Sequence, residues 1–376
     1  MTVLNRLIIK GLRNVHNATS IELSPKINFF YGNNGSGKTS ILEAVSLLGL
    51  GRSFRSHKTL SLVNYSIDEL IIFADIAIKE NMVVPVGFQK HRNGRNIIRI
   101  AGESVHSAAV LAKQLPLQFI NANSFQLIEG SPSQRRQFLD WVVFHVKPEF
   151  SNRWKALQKL LKQRNSLLRH DKINYSDLSP WDIEFCRLAE EIHHLRTETF
   201  KLFSEVFLGL DTDFAIDNLA ITMEYTQGWN VDKSLSDCLK ENFERDKRDG
   251  YTHHGPQRAD IKIKAKGKPA AEVLSRGQKK ALICAMHIAQ AYLYQQETQQ
   301  KCVFLVDDLL AELDKRHSIR LAAWLTELGG QVFVTGISEK EMQDAWAEQK
   351  TKTALFHVKQ GSVEQIHTAN KLTEKP

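Results

Sequence analysis

The chain has 376 residues, which is enough for two or three domains of roughly 100–200 residues each. Hydrophobic residues make up 42% and charged residues 24%, a composition that indicates a folded globular protein and excludes wholesale disorder. The formal net charge of +8 permits a polyanionic partner without requiring one. The four cysteines lie far apart without a CxxC pair, so we expect neither a disulfide framework nor a zinc knuckle, and a reducing cytoplasm fits best.

Nothing in the sequence favours insertion into a membrane. The first residues show no charged leader followed by an apolar core and a cleavage site. The longest apolar stretch, Ala281–Tyr294, is interrupted by His287 and Gln290 and is too short to span a bilayer. We therefore expect a buried helix there and no membrane partner.

The N-terminal part of the chain has the order strand, Gly-rich turn, helix. The apolar runs Leu4–Ile9 and Ile27–Tyr31 predict strands, and Thr39–Leu48 predicts a helix. Further strands are predicted at Leu70–Ile78 and Val83–Phe88, in a β-meander with a hairpin turn at Asn93 and Gly94. This order of elements is typical of a phosphate-binding α/β unit.

After residue 104 the pattern becomes helical, and the α/β pattern returns after residue 250. The later part predicts, in order, an edge strand, a helix, a buried strand, a second helix and a final core strand, at Ile261–Lys264, Ser275–Gln290, Val303–Val306, Arg316–Leu328 and Gln331–Thr335. We therefore predict a discontinuous α/β lobe over 1–103 and 246–376, with a mainly helical lobe over 104–245 inserted into it.

The Gly-rich turn carries the strongest motif of the chain. It fits GxxxxGK[ST] at every fixed position, as Gly32-Asn33-Asn34-Gly35-Ser36-Gly37-Lys38-Thr39. The glycines let backbone N–H groups turn around phosphate oxygens, Lys38 would reach the β- and γ-phosphates, and the Thr39 hydroxyl would hold Mg²⁺. Ser40 follows in the first helical turn. The competing interpretation, a chance Gly-rich turn, does not explain the strand before it and the helix after it.

The apolar strand Val303–Val306 ends in two carboxylates, Asp307 and Asp308. We expect Asp307 to lie at the strand tip beside the phosphate loop and to bind Mg²⁺, directly or through water. Asp308 is placed to orient or activate the attacking water. An acidic strand cap is the structural alternative, and the phosphate loop makes it the weaker one.

Two further segments resemble ABC-type ATPases. Leu274-Ser275-Arg276-Gly277-Gln278 is similar to the LSxGQ motif, which in that family contacts the γ-phosphate bound to the opposite subunit. Taken alone, Ser275 is an ordinary helix N-cap. Ala311-Glu312-Leu313-Asp314 matches the loop that follows the acidic strand at the dimer interface of that family.

Lys38 and Asp307 lie too far apart in the chain for a compact transporter ATPase, and the intervening lobe lacks the heptads of long coiled-coil arms. Within the SMC-like branch the chain resembles the RecF family of bacterial DNA replication and repair proteins, from Leu4 to about Gly361. The segments that carry the resemblance are Leu12-Arg13-Asn14, Gly51–Arg55, Gly130–Asp140, Leu161–Asn165, His254–Asp260 and Asp307–Leu321.

The chain departs from the family pattern at four places. Ala122-Asn123 replaces Pro and an acidic residue, and Gln257 replaces a common His. Thr335-Gly336-Ile337-Ser338 lacks the switch histidine of transporter ATPases. Asp308 is one methylene shorter than the usual catalytic Glu, so we expect slow hydrolysis.

The resemblance implies an ABC-type ATPase head, with a mixed sheet and a P-loop, plus an inserted mainly helical lobe. It implies a weak ATPase that uses ATP and Mg²⁺, in which ATP drives homodimerisation around double-stranded DNA near single-strand gaps. It also implies cooperation with RecR and RecO to load RecA, and a link to the SOS response. In addition to the phosphate loop, Arg13, Asn14, Ser275, Gly277 and Gln278 would bind the nucleotide.

Two stretches, 85–136 and 152–172, are rich in Lys and Arg and poor in acidic residues. Such runs neutralise DNA phosphates without reading bases, although a solvated helix face or hairpin explains any single residue equally well. The predicted DNA contacts are Arg92, Arg95, Arg135, Arg136, Lys162 and Arg164.

Three other functions are open to this sequence. An ABC-type ATPase subunit acting on a protein or membrane partner is the main alternative, and the missing switch histidine argues against a transporter. A GTPase switch is disfavoured because the sequence contains no NKxD or TKxD motif, which would recognise the guanine base. A DNA-binding scaffold with an inactive site would not need Lys38, Thr39, Asp307 and Asp308.

Overall fold

The computed structural model describes residues 2–55, 61–79, 82–105, 107–170, 172–210, 219–308, 312–349 and 351–366. The chain divides into two compact units. The first contains Met1–Ser124 and Tyr294–Pro376, and the second contains Phe125–Leu293. These boundaries differ from the predicted ones, because 104–124 belong to the first unit and 246–293 to the second.

The first unit contains an antiparallel six-stranded sheet in the order β2-β1-β4-β5-β6-β7. Its strands are β1 (Val3–Lys10), β2 (Thr19–Glu22), β4 (Glu69–Lys79), β5 (Met82–His91), β6 (Asn96–Ile100) and β7 (Glu103–Ser104). Gly94, at φ 92°, lies in the turn between β5 and β6, where its N–H donates to His91 O at 3.0 Å. The predicted meander and hairpin are therefore present.

A second six-stranded sheet of this unit has the order β15-β14-β3-β13-β12-β8. Its strands are β3 (Ile27–Tyr31), β8 (Leu117–Asn121), β12 (Val303–Asp307), β13 (Val332–Gly336), β14 (Thr353–Lys359) and β15 (Ser362–Ile366). All neighbours are parallel except β14 and β15. The prediction that 331–335 is the final core strand was wrong, because β14 and β15 follow it. Pairing of β8 with β12 explains why 104–124 belong to this unit.

In its described residues the first unit also contains the helices α1 (Lys38–Leu50), α2 (Ala108–Gln114), α11 (Lys315–Leu328) and α12 (Glu339–Ala345). Most of α1 is buried in one hydrophobic core that includes residues from both sheets. In that core the Phe30 ring stacks on Phe356 at 4.8 Å and on Phe333 at 6.3 Å. Burial on all sides explains the continuous apolar runs of β3, β12 and β13.

The second unit is mainly helical. Its helices are α3 (Gln126–Glu129), α4 (Pro132–Val146), α5 (Phe150–Leu167), α6 (Tyr175–Gly209), α7 (Leu235–Glu241), α8 (Phe243–Asp249), α9 (Ala270–Val273) and α10 (Arg276–Thr298), whose last residues belong to the first unit. The apolar stretch 281–294 is buried within α10, apart from the partly buried His287 and Tyr292, as expected. Across the described ranges, no helix is long and apolar enough to span a membrane.

A small antiparallel sheet of the second unit has the order β11-β10-β9, with β9 (Ile221–Thr226), β10 (Asp260–Ala265) and β11 (Lys268–Pro269). The prediction of an edge strand at 261–264 was wrong, because β10 is the central strand. Apolar and charged residues alternate along β10 because Ile261 and Ile263 face the interior while Lys262 faces solvent. Pairing of β10 with β9 assigns the segment after residue 246 to this unit.

Candidate functional site

The phosphate loop connects β3 to α1 in the first unit. Gly32, at φ 153°, has no room for a side chain, because a Cβ atom there would lie 2.3 Å from Val358 O. Gly37 precedes α1 at φ 115°, a conformation that L-residues with side chains rarely adopt. The N-terminus of the buried helix α1 therefore lies at the concave side of the phosphate loop. Backbone N–H groups and the helix dipole favour an anion there.

Lys38 is almost fully buried, at 4% exposure, and its Nζ donates to Gly32 O at 2.8 Å and to Asn33 O at 3.1 Å. Lys38 forms no ion pair with any described residue. The buried Ser36 Oγ makes no hydrogen bond to any described residue. An uncompensated ammonium group and an unpartnered hydroxyl in one Gly-rich loop fit a phosphate chain.

Asp307 and Thr39 meet at the end of β12. The Thr39 hydroxyl donates to Asp307 Oδ1 at 3.1 Å, and the Thr335 hydroxyl donates to the same oxygen at 2.8 Å. Burial raises the pKa of Asp307, whereas the hydrogen bonds from Thr335 and Thr39 and the charge of Arg55 lower it. This hydroxyl and carboxylate are hard oxygen donors that suit Mg²⁺.

Asp308 directly follows this strand at φ 50°, a strained value for a residue with a side chain. Its N–H donates to Thr335 Oγ1 at 2.9 Å, and its Oδ1 lies 3.4 Å from the same hydroxyl. Thr335 is fully buried and therefore fixes both carboxylates relative to each other. The sequence drew attention to Thr335 only for the missing histidine, and its bridging role depends on the parallel pairing of β12 with β13.

Asn14, which follows β1 in the chain, forms hydrogen bonds with the phosphate loop. Its Nδ2 donates to Ser36 O at 3.1 Å and to Gly35 O at 3.3 Å, and its Oδ1 accepts from Ser40 Oγ at 3.2 Å. Arg13 forms a two-pronged ion pair with the buried Glu43. Asn14 therefore shapes the loop, whereas most of the Arg13 guanidinium is engaged by α1.

A cavity of about 290 Å³ lies against these groups. It is lined by Arg13, Asn14, Asn34, Gly35, Gly37, Lys38, Thr39, Ser40, Arg55 and Asp308. Of these residues only Arg55 was not predicted as a site residue, although it ends the Gly51–Arg55 segment. Its place in a family-like segment was the available signal.

Ser275, Gly277 and Gln278 belong to the second unit, at the start of α10. The Ser275 hydroxyl accepts from Gln278 N–H at 3.3 Å, and the Gln278 side chain accepts from Ser275 N–H at 2.9 Å. This reciprocal pair is a capping box. Ser275 and Gly277 remain exposed, and a Cβ atom on Gly277 would meet nothing within 4 Å.

The loop after the acidic strand is described from Glu312 onward, so Ala311 lies outside the described residues. Asp314 is the N-cap of α11 and accepts from His317 N–H at 2.9 Å. This hydrogen bond lowers the pKa of Asp314.

Comparison with known proteins identifies the family. The domain family described as RecF/RecN/SMC N terminal domain matches residues 3–364. A relative from Cellvibrio japonicus, named DNA replication and repair protein RecF, is 45% identical over 96% of this chain and 98% of its own. The chain belongs to the RecF family. A relative of the same name from Pseudomonas putida is 43% identical over 97% of this chain and 98% of its own.

Solved structures agree on the fold. A structure of the recombination mediator protein RecF with ATP, described as part of the RecFOR pathway, has a TM-score of 0.84 at 23% identity, covering 97% of this chain and 98% of that one. An Smc head domain derived from Pyrococcus furiosus has a TM-score of 0.58 at 16% identity, covering 97% and 96%. The predicted ABC-type ATPase head fold is thereby confirmed.

Three segments by which the chain resembles the RecF family meet inside the second unit. Arg135 pairs with Asp260, and Arg136 donates to Ala259 O at 2.7 Å. The Asn165 side chain accepts from Thr252 N–H at 2.9 Å. The family-like residues of 130–140, 161–165 and 254–260 therefore hold one loop in place.

The prediction of Arg164 as a DNA contact was wrong. Arg164 is fully buried, and its guanidinium donates to Asp182 at 2.7 Å, to Asp246 at 2.8 Å and to Thr252 Oγ1 at 2.8 Å. These partners raise its pKa despite the opposing effect of burial. A side chain without exposed surface cannot meet a DNA phosphate.

Three other predicted DNA contacts are occupied by protein acceptors, which removes the basis for those predictions. Arg135 is bidentate to Asp260, and Arg136 is directed to Ala259 O, with a pKa lowered mainly by burial. Arg92 donates to Ile67 O at 2.8 Å and to Asn64 O at 2.6 Å. Of the predicted set, Arg95 and Lys162 are exposed, and their contact with DNA stays a prediction.

Proposed function

We propose that this protein is an ATP-dependent DNA-binding protein of recombinational DNA repair and replication. The observation that carries the proposal is that Lys38, Thr39 and Asp308 line one cavity while the Thr39 hydroxyl also donates to Asp307, in a chain of the RecF family. The named relatives supply the biological setting, since they are DNA replication and repair proteins and a recombination mediator of the RecFOR pathway.

In this proposal the phosphate loop binds the phosphate chain of ATP, and Lys38 turns from the loop carbonyls to the β- and γ-phosphates. Thr39 and Asp307 hold Mg²⁺, which neutralises charge on the phosphates. Asp308 orients the attacking water, and Thr335 keeps the two carboxylates in register. Because Asp308 has a shorter reach than Glu, hydrolysis is slow and ATP acts as a clamp.

Ser275, Gly277 and Gln278 of one copy contact the ATP bound to a second copy. ATP then stabilises the dimer, because both copies bind the same negative charge. The dimer encloses double-stranded DNA next to a single-strand gap, hydrolysis releases it, and the protein works with RecR and RecO to load RecA in the cytoplasm.

Fluorescence anisotropy of labelled duplex DNA, with and without ATP and at two salt concentrations, tests the proposal. We expect ATP to tighten binding, salt to weaken it, and Lys38→Met to abolish the effect of ATP. DNA binding that is absent or indifferent to ATP would contradict the clamp and leave a protein partner as the target. An ATP turnover of tens per second without DNA would contradict slow hydrolysis.

A further inference from the structure

Four arginines contact the segment 249–251 of the second unit, which contains a partly exposed tyrosine. We call Arg169, Arg245, Arg248, Tyr251 and Arg258 the arginine–tyrosine patch. The Arg258 guanidinium lies 5.1 Å from the centre of the Tyr251 ring, and Arg169 Nε donates to the neighbouring Gly250 O at 3.3 Å. Arg245 and Arg248 approach Asp249 at 4.0 and 3.1 Å. Contacts thus link all five residues to the segment 249–251.

The patch carries an excess of positive charge at the surface. The side chains of Arg245 and Arg248 are 57% and 73% exposed, and Arg169 and Arg258 are also exposed. Asp249 is shared between two of these arginines and His253. Glu244 is the other exposed carboxylate on α8 and forms no ion pair with a described residue. Among the described residues of α8, two exposed carboxylates thus accompany the four guanidinium groups, and Asp249 is the one that contacts two of them.

A buried network holds the Tyr251 segment of the patch in place from below. The Tyr251 ring packs on the His253 ring at 4.3 Å, and His253 Nδ1 lies 2.8 Å from Asp246 Oδ1. Asp246 is fully buried and also accepts from Arg164. Gly250, at φ 70°, would bring a Cβ atom to 3.2 Å from Arg169 Cγ. A preordered surface loses little conformational entropy when it binds a ligand.

The residue types indicate the ligand. A guanidinium fork matches the oxygens of a phosphate better than a lysine ammonium does. An exposed tyrosine supplies a hydroxyl donor for a phosphate and a flat ring for a sugar or base edge. The four arginines come from different positions in the chain, so their guanidinium groups can contact successive phosphates. This arrangement favours a repeating row of phosphates over a single anion.

We propose that the arginine–tyrosine patch binds the phosphodiester backbone of double-stranded DNA. The proposal rests on the proposed function and adds the surface on which the second unit meets DNA. It replaces the buried Arg164 with exposed arginines that the same buried network supports.

The test compares the full-length protein with the variant R245Q/R248Q/R258Q, by anisotropy of a labelled duplex in the presence of ATP over a salt series. We expect the dissociation constant to rise at least tenfold and the slope of log K against log salt to fall by about 3, close to one unit for each lost phosphate contact. ATP affinity and thermal unfolding are measured alongside. If the triple variant is unstable, R245Q/R248Q replaces it, because both side chains are more than half exposed.

The matched control is R187Q/K201Q/K240Q, which removes the same charge from exposed positions of the same unit. We expect its salt slope to equal that of the unmodified protein. Equal weakening by both triple variants, or none by the patch variant, overturns the proposal. Binding of labelled poly-glutamate is measured on the same proteins. If the patch variant loses poly-glutamate binding but keeps its DNA binding, the proposal is overturned in favour of an acidic protein partner. Failure of the unmodified protein to bind DNA with ATP is a separate result that overturns the proposed function itself.

Discussion

Each unit of the molecule contains a buried cation, Lys38 of the phosphate loop in the first and Arg164 of the segment Leu161–Asn165 in the second. Among the described residues, Lys38 donates only to backbone carbonyls, whereas Arg164 donates to two carboxylates. A buried charge without a counter-charge is costly, and an anionic ligand relieves that cost. A buried charge that is paired with counter-charges is part of the fold. Removing it leaves the partner carboxylates buried without a counter-charge, which destabilises the protein. The comparison therefore distinguishes Lys38, the proposed binding residue, from Arg164, which is part of the fold.

The largest expected effect is on the stability of the second unit. Arg164→Met leaves Asp182 and Asp246 buried without their cation, so we expect the free energy of unfolding to fall by about 3–5 kcal/mol. Urea denaturation measures this change. Arg187→Met removes an exposed arginine from α6, so we expect the free energy of unfolding to stay close to that of the unmodified protein. If both substitutions lowered the free energy of unfolding equally, Arg164 would not be a structural cation in the sense proposed.

The next effect separates binding from stability in the first unit. Lys38→Met removes the uncompensated ammonium group, so we expect ATP affinity to fall at least about tenfold, or about 1.4 kcal/mol, without loss of stability. Isothermal titration with ATP and Mg²⁺, together with urea denaturation, checks both outcomes. A variant that binds ATP normally, or that unfolds as readily as Arg164→Met, would place Lys38 among the structural cations.

A smaller effect is expected where Thr335 contacts Asp307. The Thr335 hydrogen bond lowers a pKa that burial raises, so Thr335→Val should raise the pKa of Asp307 further. On acidification more of this carboxyl is then protonated at any given pH, and Mg²⁺-dependent ATP binding should be lost at a higher pH.

Thr335→Ser is the control for this prediction, because it keeps the hydroxyl. Titration of Mg²⁺-dependent ATP binding between pH 7.5 and about pH 4, near the ordinary Asp range, compares the three proteins. If Ser and Val variants shift alike, the effect comes from packing and not from the hydrogen bond.

The smallest expected effect concerns Lys162, two positions before Arg164 on α5 but exposed. Lys162→Gln should leave stability within about 0.5 kcal/mol and lower the salt slope of DNA binding by about 1 if the side chain meets a phosphate. Anisotropy over a salt series measures the slope. An unchanged slope would remove Lys162 from the DNA surface and leave the arginine–tyrosine patch as the basic surface of this unit.

Local patterns predicted much of the first unit. The strand before the phosphate loop, the helix after it and the strand that ends at Asp307 were all expected close to their observed bounds. Each has a strong local cause, because a buried parallel strand is a continuous apolar run and a phosphate loop needs glycine at fixed positions. By contrast, β8, β14 and β15 were missed, since their strand character comes from pairing with distant segments.

The division into units was predicted less well for the same reason. The alternation of Ile261–Lys264 is typical of a half-buried strand, but it carries no information on whether that strand is central or at an edge. Thr335 had no local signal for its bridging role, because a Thr at the end of an apolar strand is common. For Arg55 the family-like segment Gly51–Arg55 was the only signal, and it did not indicate that the side chain lines the cavity.

The sequence by itself determined the chemistry of the nucleotide site, since a phosphate loop of fixed spacing and a strand ending in carboxylates are local features. Tertiary structure alone decided which charged residues are accessible to a ligand and which are buried and paired within the fold. Lys162 and Arg164 share a helix and a positive charge, yet one is exposed and the other lies among Asp182, Asp246 and Thr252. Burial and counter-charge depend on residues far apart in the chain, so no run of neighbouring letters specifies them.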